Sequence, residues 1–322
     1  MTAISAAATC AIVIATRCRP DEIKTLLGNL RTQSRPPDAV VIVDASPSPD
    51  PVAGPKNEKL NLTYIHHPMP SAAVQRNIGI GAVPEGMDFI GILDDDVALQ
   101  PDALKNMMAF WETAPPDIAG CGFNWINFHP PPAKSLKESF LSRKLGLYSD
   151  RRGRVMSSGW QTLIGTVEKD LQVDWLPIGA SFWRKTIFER FEFDPFFDGY
   201  SYLEDLDFTY SVSRKFKLAV VQKAGFFHHH SETGRINLYH FGKIEVRNRL
   251  YFVRKHGLSM NRCYLGIFIR LLLTLYTFIT RREKNALLRA TGNLAALTGS
   301  VMKNKPPAAN NTASIEASTH AG

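Results

Sequence analysis

Cysteine is scarce in this chain: there are four in 322 residues, at positions 10, 18, 121 and 263. They form no Cys-x-x-Cys pair and no Cys/His cluster of zinc spacing, which excludes a zinc ribbon or a disulfide-built scaffold. Thiols so few and scattered fit a reducing compartment, and the expected location is cytoplasmic. Also missing is an apolar run of about 20 residues, the length a spanning helix needs. The nearest approach, YLGIFIRLLLTLYTFIT (264–280), stops at 17 residues and contains Arg270. The first residues, MTAISAAATCAIVIATRCRP, have no basic residue ahead of their apolar run, which Arg17 and Arg19 cut short. They read as a leading coil and a buried strand, not as a cleaved leader. No internal repeat is visible.

What is present is enough apolar material, 44% of residues, to bury a large α/β core and carry an appendage. The net charge of +8 fits an acidic partner: nucleic acid, an anionic membrane face or a phosphate-bearing substrate. Nucleic acid has only this charge in its favour and no recognition motif, so none is expected.

The first 112 residues alternate strand and helix. CAIVIAT (10–16) and AVVIV (39–43) are continuous β-branched runs of the kind that form buried parallel strands. LTYIHH (62–67) and DFIGIL (88–93) supply two more strands. Between them, Pro20 opens a helix with apolar positions at Ile23, Leu26, Leu27 and Leu30, and SAAVQRNIGIGAV (71–83) reads as a second helix. Pro101 opens a third over 101–112. This is the pattern of a doubly wound, mainly parallel sheet with helices on both faces, whose ligand site lies at the carboxyl ends of the strands. Thr16 and Arg17, Asp44, and Asp94 to Asp96 fall there. Further on, KLAVVQ (217–222) reads as a strand and 244–257 as a basic, aromatic helix. The segment 264–280, flanked by Arg262, Arg281 and Arg282, suits a helix lying in a membrane interface, although a core helix would also explain it.

Three clusters carry the chemistry. Asp94, Asp95 and Asp96 end an apolar strand, where like charges this close repel and a divalent cation, Mg²⁺ or Mn²⁺, resolves the conflict. Such an ion would also hold a nucleotide diphosphate. Glu204, Asp205 and Asp207 sit at a helix start; they satisfy the helix dipole, and one of them can serve as a general base toward a hydroxyl. His228, His229 and His230 follow a strand and can supply an imidazole ligand. Asp44 and Arg76 are candidates to bind a ribose or base and a phosphate.

Taken in order, IVIATRCRP (12–20), VIVDAS (41–46), AAVQRNIGI (72–80), LDDDV (93–97), IGASFWRK (178–185), YLEDLDFTYSV (202–212), HHHS (228–231) and RNRLYFVRKHG (247–257) resemble the family 2 glycosyltransferases of the GT-A fold. The resemblance implies an inverting, metal-dependent transfer of a sugar from a nucleotide-diphosphate donor to a saccharide or lipid-linked acceptor. It implies Asp205 as base beside Glu204, and Asp96 with Asp94 and His228 as metal ligands. Thr16, Arg17, Asp44, Arg76, Asp94 and Asp95 become donor contacts, and Gly179, Ala180 and Trp183 part of an acceptor site. The register among the three histidines stays open. Cys18-Arg19 replaces a Tyr-Asn pair common in the family. The absence of a Gln-x-x-Arg-Trp motif and the likeness of 247–257 to rhamnosyltransferase-like members imply single-sugar, non-processive transfer.

The expected organisation is a coil over 1–9, a GT-A domain over 10–250, a membrane-associating helical segment over 251–300 and a disordered tail over 301–322. The chain is expected to be peripheral on the cytoplasmic face of a membrane. Two rivals are a nucleotide-sugar-forming nucleotidyltransferase and a non-catalytic, membrane-associated nucleotide-sugar-binding homologue. The first should carry a Gly-rich phosphate loop after strand one, and ATRCRPDE has no glycine. Intact Asp96 and Asp205 argue against the second.

Overall fold

A computed structural model describes residues 8–49, 60–129, 140–229 and 237–302. In chain order the strands are β1 (Cys10–Thr16), β2 (Ala39–Asp44), β3 (Leu62–His66), β4 (Phe89–Asp94), β5 (Val97–Leu99), β6 (Ile118–Trp125), β7 (Leu171–Val173), β8 (Ala180–Arg184) and β9 (Lys217–His228). The helices are α1 (Pro20–Arg31), α2 (Ala72–Gly81), α3 (Ala103–Thr113), α4 (Phe140–Lys144), α5 (Glu204–Ser213), α6 (Leu238–Lys255), α7 (Met260–Arg281) and α8 (Lys284–Met302).

All nine strands form one mixed sheet in the order β3-β2-β1-β4-β8-β6-β9-β5, with β7 added on β9. The half that matches the predicted alternation, β3-β2-β1-β4, is parallel throughout. Beyond it, β8 runs antiparallel to both β4 and β6.

The sheet is covered on both faces, as its unbroken apolar strands require. Cys10, Ile12 and Ile14 of β1 pack with Ile23, Leu26 and Leu30 of α1 and with Met107 and Trp111 of α3. The alternate residues, Ala11 and Val13, pack with Ala73 of α2 and Phe208 and Val212 of α5. A third cluster joins α5 to Leu250 and Val253 of α6 and to Cys263 and Ile267 of α7. α6 runs unbroken through position 250, so the boundary expected between 250 and 251 divides no structural unit there. The tail expected over 301–322 lies outside the described residues apart from 301–302, which end α8, and only 8–9 of the leading coil are described.

α7 is five residues longer than its apolar core predicts, because Ser259 caps it, accepting a hydrogen bond from the Arg262 amide. Cys263, Ile267 and Leu271 face the protein, whereas Phe268 (55% exposed), Leu272, Tyr276 and Ile279 (73%) face outward. Among the described residues it is the one helix long and apolar enough to cross a membrane. Its two-sided packing also suits a helix lying along a surface.

Candidate active site

Parallel register sets the site. Thr16 pairs with Asp44, and Ala15 with Asp94, so β1, β2 and β4 end at one edge of the sheet. Asp95 turns inward there. It accepts hydrogen bonds from Thr16 Oγ1 (2.7 Å) and Arg19 Nη1 (2.6 Å). Burial pushes its pKa up to about 6 although both donors oppose that shift. Asp44 is 1% exposed. Its Oδ1 accepts from the Ser46 amide (2.8 Å) and its Oδ2 from Tyr64 (2.7 Å). In this arrangement Asp44 orders the wall formed by Ser46 and Tyr64 at the strand end expected to meet the donor.

α2 brings the connecting cation. Gly79 lets the helix lie against the sheet, since a Cβ there would stand 2.5 Å from Val13 Cγ1. Gln75 Nε2 ties the helix to the strand ends, donating to the carbonyls of Thr16 and Val43 (both 2.9 Å). One residue on, the buried Arg76 reaches both acid clusters, with Nη2 3.0 Å from Asp94 and Nη1 2.7 Å from Glu204. The strand-four triplet and the acid pair at 204–205 therefore share one cleft.

The acid pair opens α5. Leu203 just before it holds a left-handed backbone (φ 77°), which turns the chain sharply into the helix. Burial pushes Glu204 up to about 7 while Arg76 pulls it down. Asp205 is likewise raised, by burial first and by the Asp94 charge, against the Leu206 amide, which donates to its Oδ1 (2.6 Å), and the charges of Arg76 and Arg249. Asp207 points elsewhere. It is buried against Lys255 (2.7 Å) and His256 (2.8 Å) and fastens α6 to α5.

β5 and β9 pair antiparallel with Val97 opposite His228, which sets the imidazole beside the triplet. His228 Nε2 lies 3.0 Å from Asp96 Oδ1. Burial alone would lower the His228 pKa, but the Asp96 hydrogen bond and the three carboxylates outweigh it and raise it. One ligand atom from each of Asp94, Asp96 and His228 lies within 4.8 Å of the others. Two hard carboxylates and an imidazole form a donor set that fits Mn²⁺ or Mg²⁺. His229 contributes its amide to the Asp96 carbonyl (2.9 Å), and His230 lies outside the described residues.

Two of the three expected acceptor residues are in the core. Trp183 (0% exposed) and Ala180 (2%) are core residues on opposite faces of β8 and cannot contact an acceptor. Gly179 makes room for Asp94: a Cβ at 179 would stand 2.0 Å from Asp94 Oδ2. Arg17 is exposed at the end of β1. It is Arg19, not among the site residues expected from the sequence, that binds Asp95 and lies 3.6 Å from Asp96. A basic residue three positions past a strand end was the available signal.

Residues 11–166 match the model of glycosyl transferase family 2. The family 2 segment is just under half of the chain and contains Thr16, Asp44, Arg76 and the aspartate triplet. Gly179, Glu204, Asp205 and His228 lie beyond it and join it through the fold. Nothing among curated proteins matches. Among solved structures the chain is similar to TarS of S. aureus, at 15% identity and a TM-score of 0.50, over 84% of this chain. The match covers 43% of that TarS chain, and it shows the fold, GT-A. The mannosyltransferase PcManGT from Pyrobaculum calidifontis, solved with GDP-Man and Mn²⁺, aligns at 14% identity and a TM-score of 0.49, over 92% of this chain and 76% of its own.

Proposed function

We propose that the protein is a glycosyltransferase that moves a single sugar, with inversion, from a nucleotide-diphosphate donor to an acceptor hydroxyl. The observation that carries this reading is Arg76, bound at once to Asp94 of the strand-four triplet and to Glu204 of the acid pair. It holds the donor end and the base end of the cleft together. Thr16, Arg17 and Arg19 line the nucleotide side. A divalent cation, when bound, would be held by Asp94, Asp96 and His228 and would neutralise the departing diphosphate. Asp205, with Oδ1 engaged by the Leu206 amide, keeps Oδ2 to take the acceptor proton as the acceptor oxygen bonds to the anomeric carbon and the bond to the diphosphate oxygen breaks. Glu204, fixed by Arg76, orients that acid and keeps the pair's charge shared.

The outer face of α7, with Phe268, Leu272, Tyr276 and Ile279 and with Arg281 and Arg282 at its end, supports a peripheral position on an anionic membrane face. The acceptor is then a saccharide or lipid-linked molecule on the cytoplasmic side.

The test is release of nucleoside diphosphate from a panel of UDP-, GDP- and dTDP-sugars, with and without Mn²⁺. Turnover by Asp205→Asn should fall by about 10²- to 10⁴-fold with donor binding retained. If no donor yields protein-dependent nucleotide and none binds, the reading fails.

A further inference from the structure

A cavity of about 830 Å³ lies between the segment 142–166 and the helices α6 and α7. None of the residues assigned above to the donor or the metal lines it. Tyr202, two residues before Glu204, is part of its wall. Arg249, in the same wall, acts on the charge of Asp205. Through Arg249 the cavity wall thus lies within electrostatic reach of the proposed base.

Its chemistry is divided. Leu147, Leu163, Ile269 and Leu273 give it an apolar side. Arg151, Arg152 and Arg249 give it positive charge. The two carboxylates on its wall are already matched: Asp150 by Arg143 (3.1 Å), and Glu245 by Arg289 (2.7 Å) and Arg270 (3.5 Å). Arg249 is 4% exposed, lies over the Trp160 ring at 4.2 Å and donates to the Gly159 carbonyl and to Gln161 (2.9 Å). Among the described residues its buried Nε has no partner. A buried cationic N–H left unpaired is costly, and an anionic ligand would satisfy it. α7 joins the cavity to the exterior. Ile269 and Leu273 face inward, while Phe268 and Leu272, one position earlier in each case, are exposed on the face proposed to meet the membrane.

We infer that this cavity seats the acceptor and that the acceptor is an anionic amphiphile, a lipid bearing a phosphate or diphosphate, with its charged head at Arg249 and its chain along Ile269 and Leu273. The word acceptor rests on the transferase reading; the amphiphile site stands on the cavity itself.

The experiment titrates the full chain calorimetrically with monomeric decyl phosphate, with 1-decanol and with inorganic phosphate, and in the same samples with UDP plus Mn²⁺. Decyl phosphate should bind at least tenfold more tightly than either of the other two. Arg249→Gln should weaken it about tenfold to a hundredfold, the range for one charge-assisted hydrogen bond. Leu273→Glu, at a half-buried position on the apolar side, should weaken it at least tenfold and keeps the test valid if Arg249→Gln does not fold. Asp96→Ala should leave it unchanged. Equal binding of decanol, equal binding of inorganic phosphate, or indifference to Leu273→Glu overturns the inference. UDP binding without decyl phosphate binding also overturns it and spares the transferase reading. Decyl phosphate binding without UDP binding sustains the amphiphile site and removes the transferase reading.

Discussion

Gly179→Ala isolates the packing that aims Asp94. The added methyl carbon would stand 2.0 Å from Asp94 Oδ2 and 2.4 Å from its Cγ. The carboxylate must retreat by about 1 Å to reach even a tight contact, since carbon atoms pack at about 3.5–4.0 Å. Its side chain is 35% exposed, so it has solvent to retreat into. The bond from the Asp94 amide to the Gly179 carbonyl (2.8 Å) involves neither Cβ nor carboxylate and is retained. The cost to folding should therefore stay near the low end of overpacking, about 1 kcal/mol. Ligand geometry is less forgiving, because metal–ligand distances hold to about 0.2 Å. Displacing the support of one of three ligands should weaken Mn²⁺ by about 10- to 100-fold. The assay is the Mn²⁺ concentration that half-saturates UDP binding, read beside a thermal melt. A variant with an unchanged Mn²⁺ midpoint and a native melt would refute the placement of Asp94 in the metal site.

Arg76→Leu leaves Glu204 and Asp94 without their shared cation. Loss of one partner of a buried pair should destabilise the fold by about 3 kcal/mol at pH 8, measured by chemical denaturation. The loss should shrink toward pH 5 as Glu204 takes up a proton. Turnover should fall with an apparent pKa above the ordinary carboxylate value near about 4, because burial raises both Glu204 and Asp205 and the base works only when deprotonated; a pH–rate profile reads this directly. Glu245 ties α6 to α8 through Arg289 (2.7 and 2.9 Å). Burial alone would raise its pKa, but Arg289 and Arg270 hold it below the ordinary value. A lowered acid stabilises above its unfolded value and loses that contribution as pH falls through the folded one. Glu245→Gln should thus melt lower than wild type at pH 7, with the gap closing below about pH 4.

The parallel half of the sheet was legible because strands buried on both faces must be apolar along their length, and β1, β2 and β4 are, up to the polar residue that ends each. That same property hid the role of Trp183. Along β8, Phe182 and Trp183 enter opposite core layers, and with no polar face to mark the outside, an aromatic run beside a glycine looked like a ligand wall. The triplet's partner histidine was legible only as a cluster of three, since antiparallel pairing of Val97 with His228 decides which imidazole meets Asp96. Gly179 could not be understood before β8 was known to lie against β4, because its reason is a carboxylate 85 positions earlier in the chain. Arg76 was visible as a residue but not as a bridge: its partners lie 18 and 128 positions further along the chain. Local pattern fixes which residues are buried and which end a strand. What makes two acid clusters one site is a single guanidinium with two hands, and that relation exists only in the folded chain.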